Sequence, residues 1–400
     1  MQLTGRSVSM FLTLVTAFTM VCHSISMAQS QQRSKRLIEY GWDVPTPLQM
    51  RDTLTSMEKR PFDGIIFKLS GGFNAFVKKP LVASEFKQDE LILRSLPFKK
   101  FKDNFVLIWG TAEDGWDWFD DDLWQTVQLN ASLLAHAGKA AKLRGICFDP
   151  EPYGFNPWEY AKQAHATEHS FAEYRLKVRE RGASFMKALE KEIPAPVILT
   201  FFHVSLYGKL MEETDPVVLA KRLEAERWGL MPDFLIGMLQ GATPHARFVD
   251  GNEMSYYYTS SEAFFRAYHT IHQRALNLIP TELRAKYSRQ VEAGQALYVD
   301  HLYALRQPNT EAYLSYRLTP EERSRWFEHN TYYALYTSDQ YVWCYSERMN
   351  WWKNETPPGV EEALRSALDK IVLGKPLGYT IEPLLTEAAH RPVIKTTTPK

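Results

Sequence analysis

Cysteine is scarce in this chain, at three in 400 residues. Cys22 falls in the apolar leader described below, which leaves Cys147 and Cys344, both inside apolar strand-like runs. Two buried free thiols are expected from them, not a disulfide framework or a metal knuckle. Net charge is missing too. Lys plus Arg and Asp plus Glu both total 47, with no long run of one sign. No field therefore draws the chain to nucleic acid or to an anionic membrane surface. No Gly-rich phosphate fingerprint follows any strand-like run, which removes the usual nucleotide-binding signature. There is no His-x-His on the first strand for an amidohydrolase-type metal centre, and no repeat of fixed period beyond a strand–helix alternation.

What is present begins with the leader. The first 28 residues hold one Arg, an apolar run from Met10 to Val21, and Ser26-Met27-Ala28 as a small-x-small cleavage site. This reads as a secretory signal cut after Ala28, with an apolar run too short to span a bilayer. A lipoprotein signal ending at Cys22 is the alternative, although Val21 is bulky for such a site. The expected location is the periplasm or exterior of a bacterium, with no membrane attachment after cleavage. Asn130 and Asn354 match the N-glycosylation pattern, which is without consequence in a bacterial source.

The rest is ordinary for a globular protein, 45% hydrophobic and 24% charged, except for its aromatic content of 13%, with 11 Trp and 20 Tyr. Flat rings with a polar edge suit sugar faces as well as cores. Strand-like and helix-like runs alternate without a composition break. Strands are expected at 37–42, 64–69, 105–109, 146–148, 197–202, 246–249, 296–299 and 341–345. Amphipathic helices are expected between them, a helix at 360–372 after the last, and a loose polar tail beyond Pro383. The apolar run 234–239 is assigned to a helix, because a ninth strand would displace the short sixth one. Eight strands alternating with helices is the arithmetic of a single (β/α)8 barrel over residues 29–383, in the α/β class, with elaborated loops after its strands.

In such a barrel the loops after the strands build the mouth, so polar residues at C-terminal strand tips are the candidates for chemistry. They are Asp43, Lys68, Trp109, Asp149, Glu151, His203, Asp250, Asn252, Glu253, Asp300, His301, Tyr345 and Glu347. The stretch RGICFDPEPYG, 144–154, is central. Its apolar core is a short buried strand that stops at Pro150, and Asp149 and Glu151, two apart, share a face if the strand continues. An isolated pair of this kind is more often a strand ending in a polar turn. Gathering Glu151, Glu253 and Glu347 around one opening would be costly without a task for them.

Hydrolysis of a glycosidic bond asks for such a set: a carboxylic acid for the leaving oxygen, and a second carboxylate as nucleophile or water-activating base. Glu151 is the expected acid, with Glu347 or Glu253 as its partner. Asp149, His203, Asp250, Asn252, Tyr256, Asp300, His301, Tyr345, Trp351, Trp109 and Trp42 are the expected sugar contacts. Trp158 and Tyr160 are further candidates for lining a cleft, Trp352 for stacking, and the acidic, aromatic segment 113–124 for decorating the mouth. Glu347 could instead pair with Arg348, Glu253 could cap a turn, His203 could be a hydrogen-bonded wall residue, and Asp300 with His301 could be a structural pair.

At FDPEPY the chain resembles (β/α)8-barrel glycoside hydrolases. The Asp149-Pro-Glu151 tip is similar to the D-x-E end of the strand-four motif in chitinase-like families, where the Glu is the proton donor, and the aromatic surroundings of the eighth strand, 343–352, are similar too. The resemblance implies a carbohydrate substrate, a poly- or oligosaccharide, and Glu151 as donor. It covers two short stretches as motif. Gly145, Ile146 and Cys147 stand where those families carry acidic residues, and the Asn-Glu pair of cellulase-like barrels is missing. No metal or cofactor enters this expectation. The rival readings are a metal-dependent sugar isomerase or lyase using Glu151, His203, Asp250, Asp300 and His301, and a non-catalytic carbohydrate-binding barrel.

Overall fold

The computed structural model describes residues 35–306 and 313–394. The expected signal and its cleavage site lie outside the described residues. Among the described residues there are nine parallel strands: β1 Arg36–Gly41, β2 Gly64–Phe67, β3 Phe105–Trp109, β4 Gly145–Asp149, β5 Val197–Thr200, β6 Arg247–Asp250, β7 Val291–Ala293, β8 Gln295–Tyr298 and β9 Tyr341–Ser346. Their order is β7-β6-β5-β4-β3-β2-β1-β9-β8. The two ends of that order are consecutive in sequence, with only Gly294 between them. Strands β7 and β8 are therefore two halves of one stave, the first paired with β6 and the second with β9. The sheet closes on itself as an eight-stave barrel.

The interruption has a local cause. Gly294 donates to the Asp250 carbonyl at 2.7 Å, and a Cβ there would sit 2.8 Å from Val249 Cγ1 and 2.9 Å from that carbonyl oxygen. Only glycine lets the chain cross so close to the end of β6. The sequence pattern ran a helix through this stretch and placed only the second half of the stave. In fact α8, Arg284–Gln290, stops just before β7.

The helices around the barrel start where side chains can cap them. In α1 (Pro47–Met57), α4 (Phe171–Glu192) and α10 (Pro320–Thr337), a Thr or Ser cap and a Gln or Glu three residues on satisfy each other's backbone donors. The outer layer also contains α2 Lys87–Ser95, α3 Asp121–Gly138, α5 Pro216–Ala225, α6 Met231–Gly241, α7 Ser261–His272, the short α9 Val299–Leu302 and α11 Val360–Val372. The apolar run 234–239 lies in α6, as expected. Helix α4 meets α6 backbone to backbone: a Cβ on Gly182 would come within 2.1 Å of the Phe234 carbonyl oxygen. Arg175 and Arg179 of α4 pair with the buried Asp233 of α6 at 2.6 and 2.5 Å. The expected loose tail forms α12, Glu382–Ala388, which buries Leu385 and Ala388. Residues 395–400 lie outside the described chain.

Register fixes what faces inward. Ile38 and Tyr40 of β1 lie beside Trp343 and Tyr345 of β9, and Trp109 of β3 beside Asp149 of β4. The inward set rises through Leu107 to Trp109, Cys147 to Asp149, and Leu199 toward Phe201. Glu39 and Cys344, one residue off, face the helices. Both described cysteines are buried and free. Outside β3 and β4 an aromatic layer joins Phe76, Trp116, Trp118, Trp124, Trp158 and Phe234. The segment 113–124 thus spends its tryptophans on packing beneath the mouth. Asn130, a glycosylation match by sequence, is buried and donates to the carbonyls of Ala75, Val77 and Lys79.

Candidate active site

A cavity of about 340 Å³ opens at the C-terminal ends of the strands. Among the described residues its carboxyls are Glu151, two residues past β4, and Glu253, three past β6, and its one ammonium is Lys68, next after β2. The walls are aromatic: Tyr40, Trp42, Phe73, Trp109, Tyr153, Phe201, Tyr256, Trp343 and Tyr345. Among the sequence candidates the structure brings together Glu151, Glu253, Lys68, Trp42, Trp109, Tyr256 and Tyr345. A wider groove of about 810 Å³ lies at the opposite end of the barrel. Its only carboxylate, Asp339, is taken by His272 and the Ala293 amide.

The rings form a floor and two walls. Phe201 stacks on Trp343 with centroids 4.4 Å apart, and Tyr40 lies 4.6 Å from Phe201. Tyr256 and Tyr345 stack at 5.5 Å. Trp42, although 76% exposed, is held by its indole N–H to the Tyr345 hydroxyl at 2.6 Å. Opposite, Trp109 packs on Tyr153 at 4.8 Å and edge-to-face on Phe73 at 4.7 Å.

Glu151 is placed by a turn. After β4 the Asp149 carboxylate accepts the Glu151 amide at 2.9 Å, an Asx-type turn that bends the chain through Pro150. The Tyr153 hydroxyl then donates to Glu151 Oε2 at 2.7 Å. Asp149 itself is fully buried under the cavity, and burial, followed by Glu151 and Glu253, pushes its carboxyl well above the usual range. It is a positioning group with no surface for sugar. Glu253 follows Asn252, which adopts a left-handed backbone (φ 43°) and donates to Gln295 Oε1 at 2.7 Å. Burial, and after it the Glu151 carboxylate, pushes the Glu253 carboxyl up to about 7. A carboxyl so placed still carries its proton near neutral pH.

The other sequence candidates fall outside the cavity. Glu347 does not line it: it accepts from the Tyr345 hydroxyl at 3.3 Å, and its amide is held by Asp300 at 2.8 Å. Asp300 also takes the Arg348 amide, at 2.6 Å, so it fastens the loop after β9. Asp250 accepts from the amides of His203, Ser205 and Asn252 and from the Ser205 hydroxyl; those bonds consume it, and Asn252 is consumed by Gln295. His203 is buried and pushed down to about 4 by burial, as is His301, so neither imidazole carries charge near neutral pH. His301 is packed among Tyr257, Tyr298, Tyr313 and Trp326. Trp351 is 1% exposed, edge-on to Phe62 with the Arg60 guanidinium over its ring. Trp158 donates to the Pro150 carbonyl at 2.7 Å from inside the aromatic layer, and Tyr160 donates to the carbonyls of Ala166 and His169, away from the mouth.

Asp43 turns away from the cavity toward Glu39. Its Oδ2 takes the Trp351 amide at 2.8 Å, and burial pushes it up to about 6. Glu39 is pushed well above the carboxylate range, first by burial and then by Asp43, and its Oε2 accepts from the Trp352 indole at 3.3 Å. The two carboxyls face each other in the layer between barrel and helices, and burial there is the first cause of both shifts.

The sequence reading missed Tyr40, Phe73, Tyr153 and Phe201 as lining residues. Parity along β1 and β5 carries the signal for Tyr40 and Phe201, and Tyr153 has the same spacing from Glu151 that Glu151 has from Asp149.

No family model and no curated protein matches this chain. Two solved structures are similar over most of its length. PbGH5A, a glycoside hydrolase family 5 enzyme from Prevotella bryantii B14, is 10% identical, with 85% of this chain and 97% of that one covered at a TM-score of 0.45. A Bacteroidetes-affiliated GH5 cellulase linked with a polysaccharide utilization locus is 11% identical, with 90% and 97% covered and the same TM-score. Among the described residues no three His, Cys, Asp or Glu side chains converge as a metal set. Asp250 and Asp300, members of the metal-dependent rival's set, already accept backbone amides.

Proposed function

We propose that this protein hydrolyses a glycosidic bond, with Glu253 as the acid and Glu151 as the nucleophile or water-activating base. The observation that carries the reading is the pairing of these carboxyls in one aromatic-walled cavity, with Glu253 pushed up to about 7. A carboxyl that holds its proton and a second carboxyl at the same sugar site are what glycoside hydrolysis requires. Glu253 gives its proton to the leaving oxygen as the bond breaks. Glu151, oriented by the Tyr153 hydroxyl, attacks the anomeric carbon or removes a proton from the water that does. This reverses the role that the D-x-E resemblance implied for Glu151, because burial and the neighbouring charge favour Glu253 as the protonated partner. Trp42, Trp109 and Tyr345 offer faces for sugar rings. The leader-like first 28 residues support export from a bacterial cell as part of the same reading.

The test is release of reducing sugar from a panel of glycans by the wild type and by the Glu151→Gln and Glu253→Gln variants. Turnover by the wild type with loss in both variants supports the assignment. Glycan binding with no turnover in the wild type identifies a binding barrel instead, and full activity in either variant removes that residue from the chemistry.

A further inference from the structure

Among the described residues Lys68 is the one cation lining the cavity. Parity along β2 turns it inward, and its backbone N–H is anchored on the Pro45 carbonyl at 3.0 Å. Its ammonium lies over the Phe73 ring at 5.6 Å. No acidic side chain among the described residues pairs with it, although Glu151 and Glu253 line the same cavity. This sets it apart from Arg60, Arg175, Arg179, Arg181 and Lys370, half-buried or buried cations that each hold a carboxylate. A half-buried ammonium with a ring face for company loses more water when a substrate closes the cavity. A neutral sugar would then leave it desolvated without a counter-charge, which is costly.

We propose that Lys68 selects a glycan bearing an anionic substituent, a uronic carboxylate or a sulfate ester. The placement suits this. In an eight-stave ring β2 stands opposite β6, with β3, β4 and β5 between them on one side. Lys68 therefore faces Glu253 across the mouth, and an anion held by Lys68 is kept away from the acid and its leaving group. The anion would form a charge-assisted hydrogen bond to Nζ. This inference rests on the glycosidase reading for its site and extends it to a substrate class.

The experiment uses matched oligosaccharides: oligogalacturonides against their methyl esters, and sulfated against desulfated oligosaccharides. Wild-type, Lys68→Met and Lys68→Arg proteins are assayed for cleavage, and the same ligands are titrated calorimetrically into Glu253→Gln and Glu253→Gln/Lys68→Met. The expected result is a preference of at least about tenfold for one charged series over its neutral counterpart, the usual worth of a hydrogen bond to a charged group. Lys68→Met should lose that preference mainly through KM, and Lys68→Arg should keep it. The responsive series identifies the anion as carboxylate or sulfate. Equal cleavage of charged and neutral ligands, unchanged in Lys68→Met, overturns the proposal and leaves the glycosidase reading intact. Binding of a charged series that disappears in the double variant, with no cleavage by the wild type, supports the anion site and removes the glycosidase reading. Neither binding nor cleavage of any of the four ligands overturns the proposal. A melting curve on each variant separates misfolding from loss of recognition, and Lys68→Arg carries the test if Lys68→Met does not fold.

Discussion

Tyr153 and Glu151 stand two residues apart on the loop after β4, and the tyrosine hydroxyl donates to Glu151 Oε2 at 2.7 Å while its ring packs on Trp109. One residue thus holds the carboxylate and braces the wall beside it. Under the proposed reaction Tyr153→Phe keeps the ring and removes the bond, so kcat should fall roughly tenfold with KM little changed, in line with about 1.5 kcal/mol for a hydrogen bond to a charged group. Steady-state kinetics on the best substrate checks it; a change confined to KM would count against the role.

The acid assignment has a pH signature. Glu253 must carry its proton to act, and its carboxyl is pushed up to about 7. Activity should therefore fall as pH rises through about 7, and the kcat/KM profile should show that alkaline limb. Glu253→Gln should lose at least about a hundredfold, the usual worth of general acid catalysis. It should retain most activity only on substrates whose leaving group needs no protonation, such as aryl glycosides with strongly acidic phenols.

A second pH dependence is structural. Glu39 and Asp43 both have raised pKa values in the folded chain, Asp43 up to about 6. Between the ordinary carboxylate range and those values the folded state binds more protons than the unfolded one, so stability falls as pH rises through this window. Melting temperature should decline from about pH 4.5 toward 7. Glu39→Gln, which needs no proton to stay neutral, should flatten part of that slope, the remainder coming from Asp43, Asp63, Asp149, Glu253, Glu292 and Asp300, which are shifted in the same direction.

Asp250 tests the boundary between scaffold and chemistry. Its carboxylate accepts from three amides and one hydroxyl, and Asp250→Ala would strand these donors in a buried site. Thermal or denaturant unfolding should show a loss of about 2–4 kcal/mol. Loss of kcat in a variant of unchanged stability would give Asp250 a catalytic part instead.

Much of this architecture was legible in the sequence, because the strands are short apolar runs at regular spacing and the helices begin at Thr46, Ser170 and Thr319 with their reciprocal Gln or Glu. The divided stave was not. Val291–Ala293 is too short to show an alternation, and it follows directly on a helix. The site was legible as far as Glu151 and Glu253, which stand at strand tips. Their division of labour was not, since a pKa near 7 comes from burial and from a neighbour remote in sequence. Asp250 and Asp300 look the same in sequence as catalytic acids at strand tips; only the amides folded against them reveal their use. The tryptophans at 116, 118 and 158 read as decoration of the mouth or lining of a cleft because nothing in the sequence locates Phe76 or Phe234 beside them.

The interlocked rings outside β3 and β4 tie the loops after β2, β3 and β4 into a single block, so the side of the mouth carrying Trp109 and Glu151 cannot shift piece by piece. Trp42, on the loop after β1, has no ring in that block; it stands in solvent with its indole N–H fastened to the Tyr345 hydroxyl, so the two walls of the cavity are braced unequally.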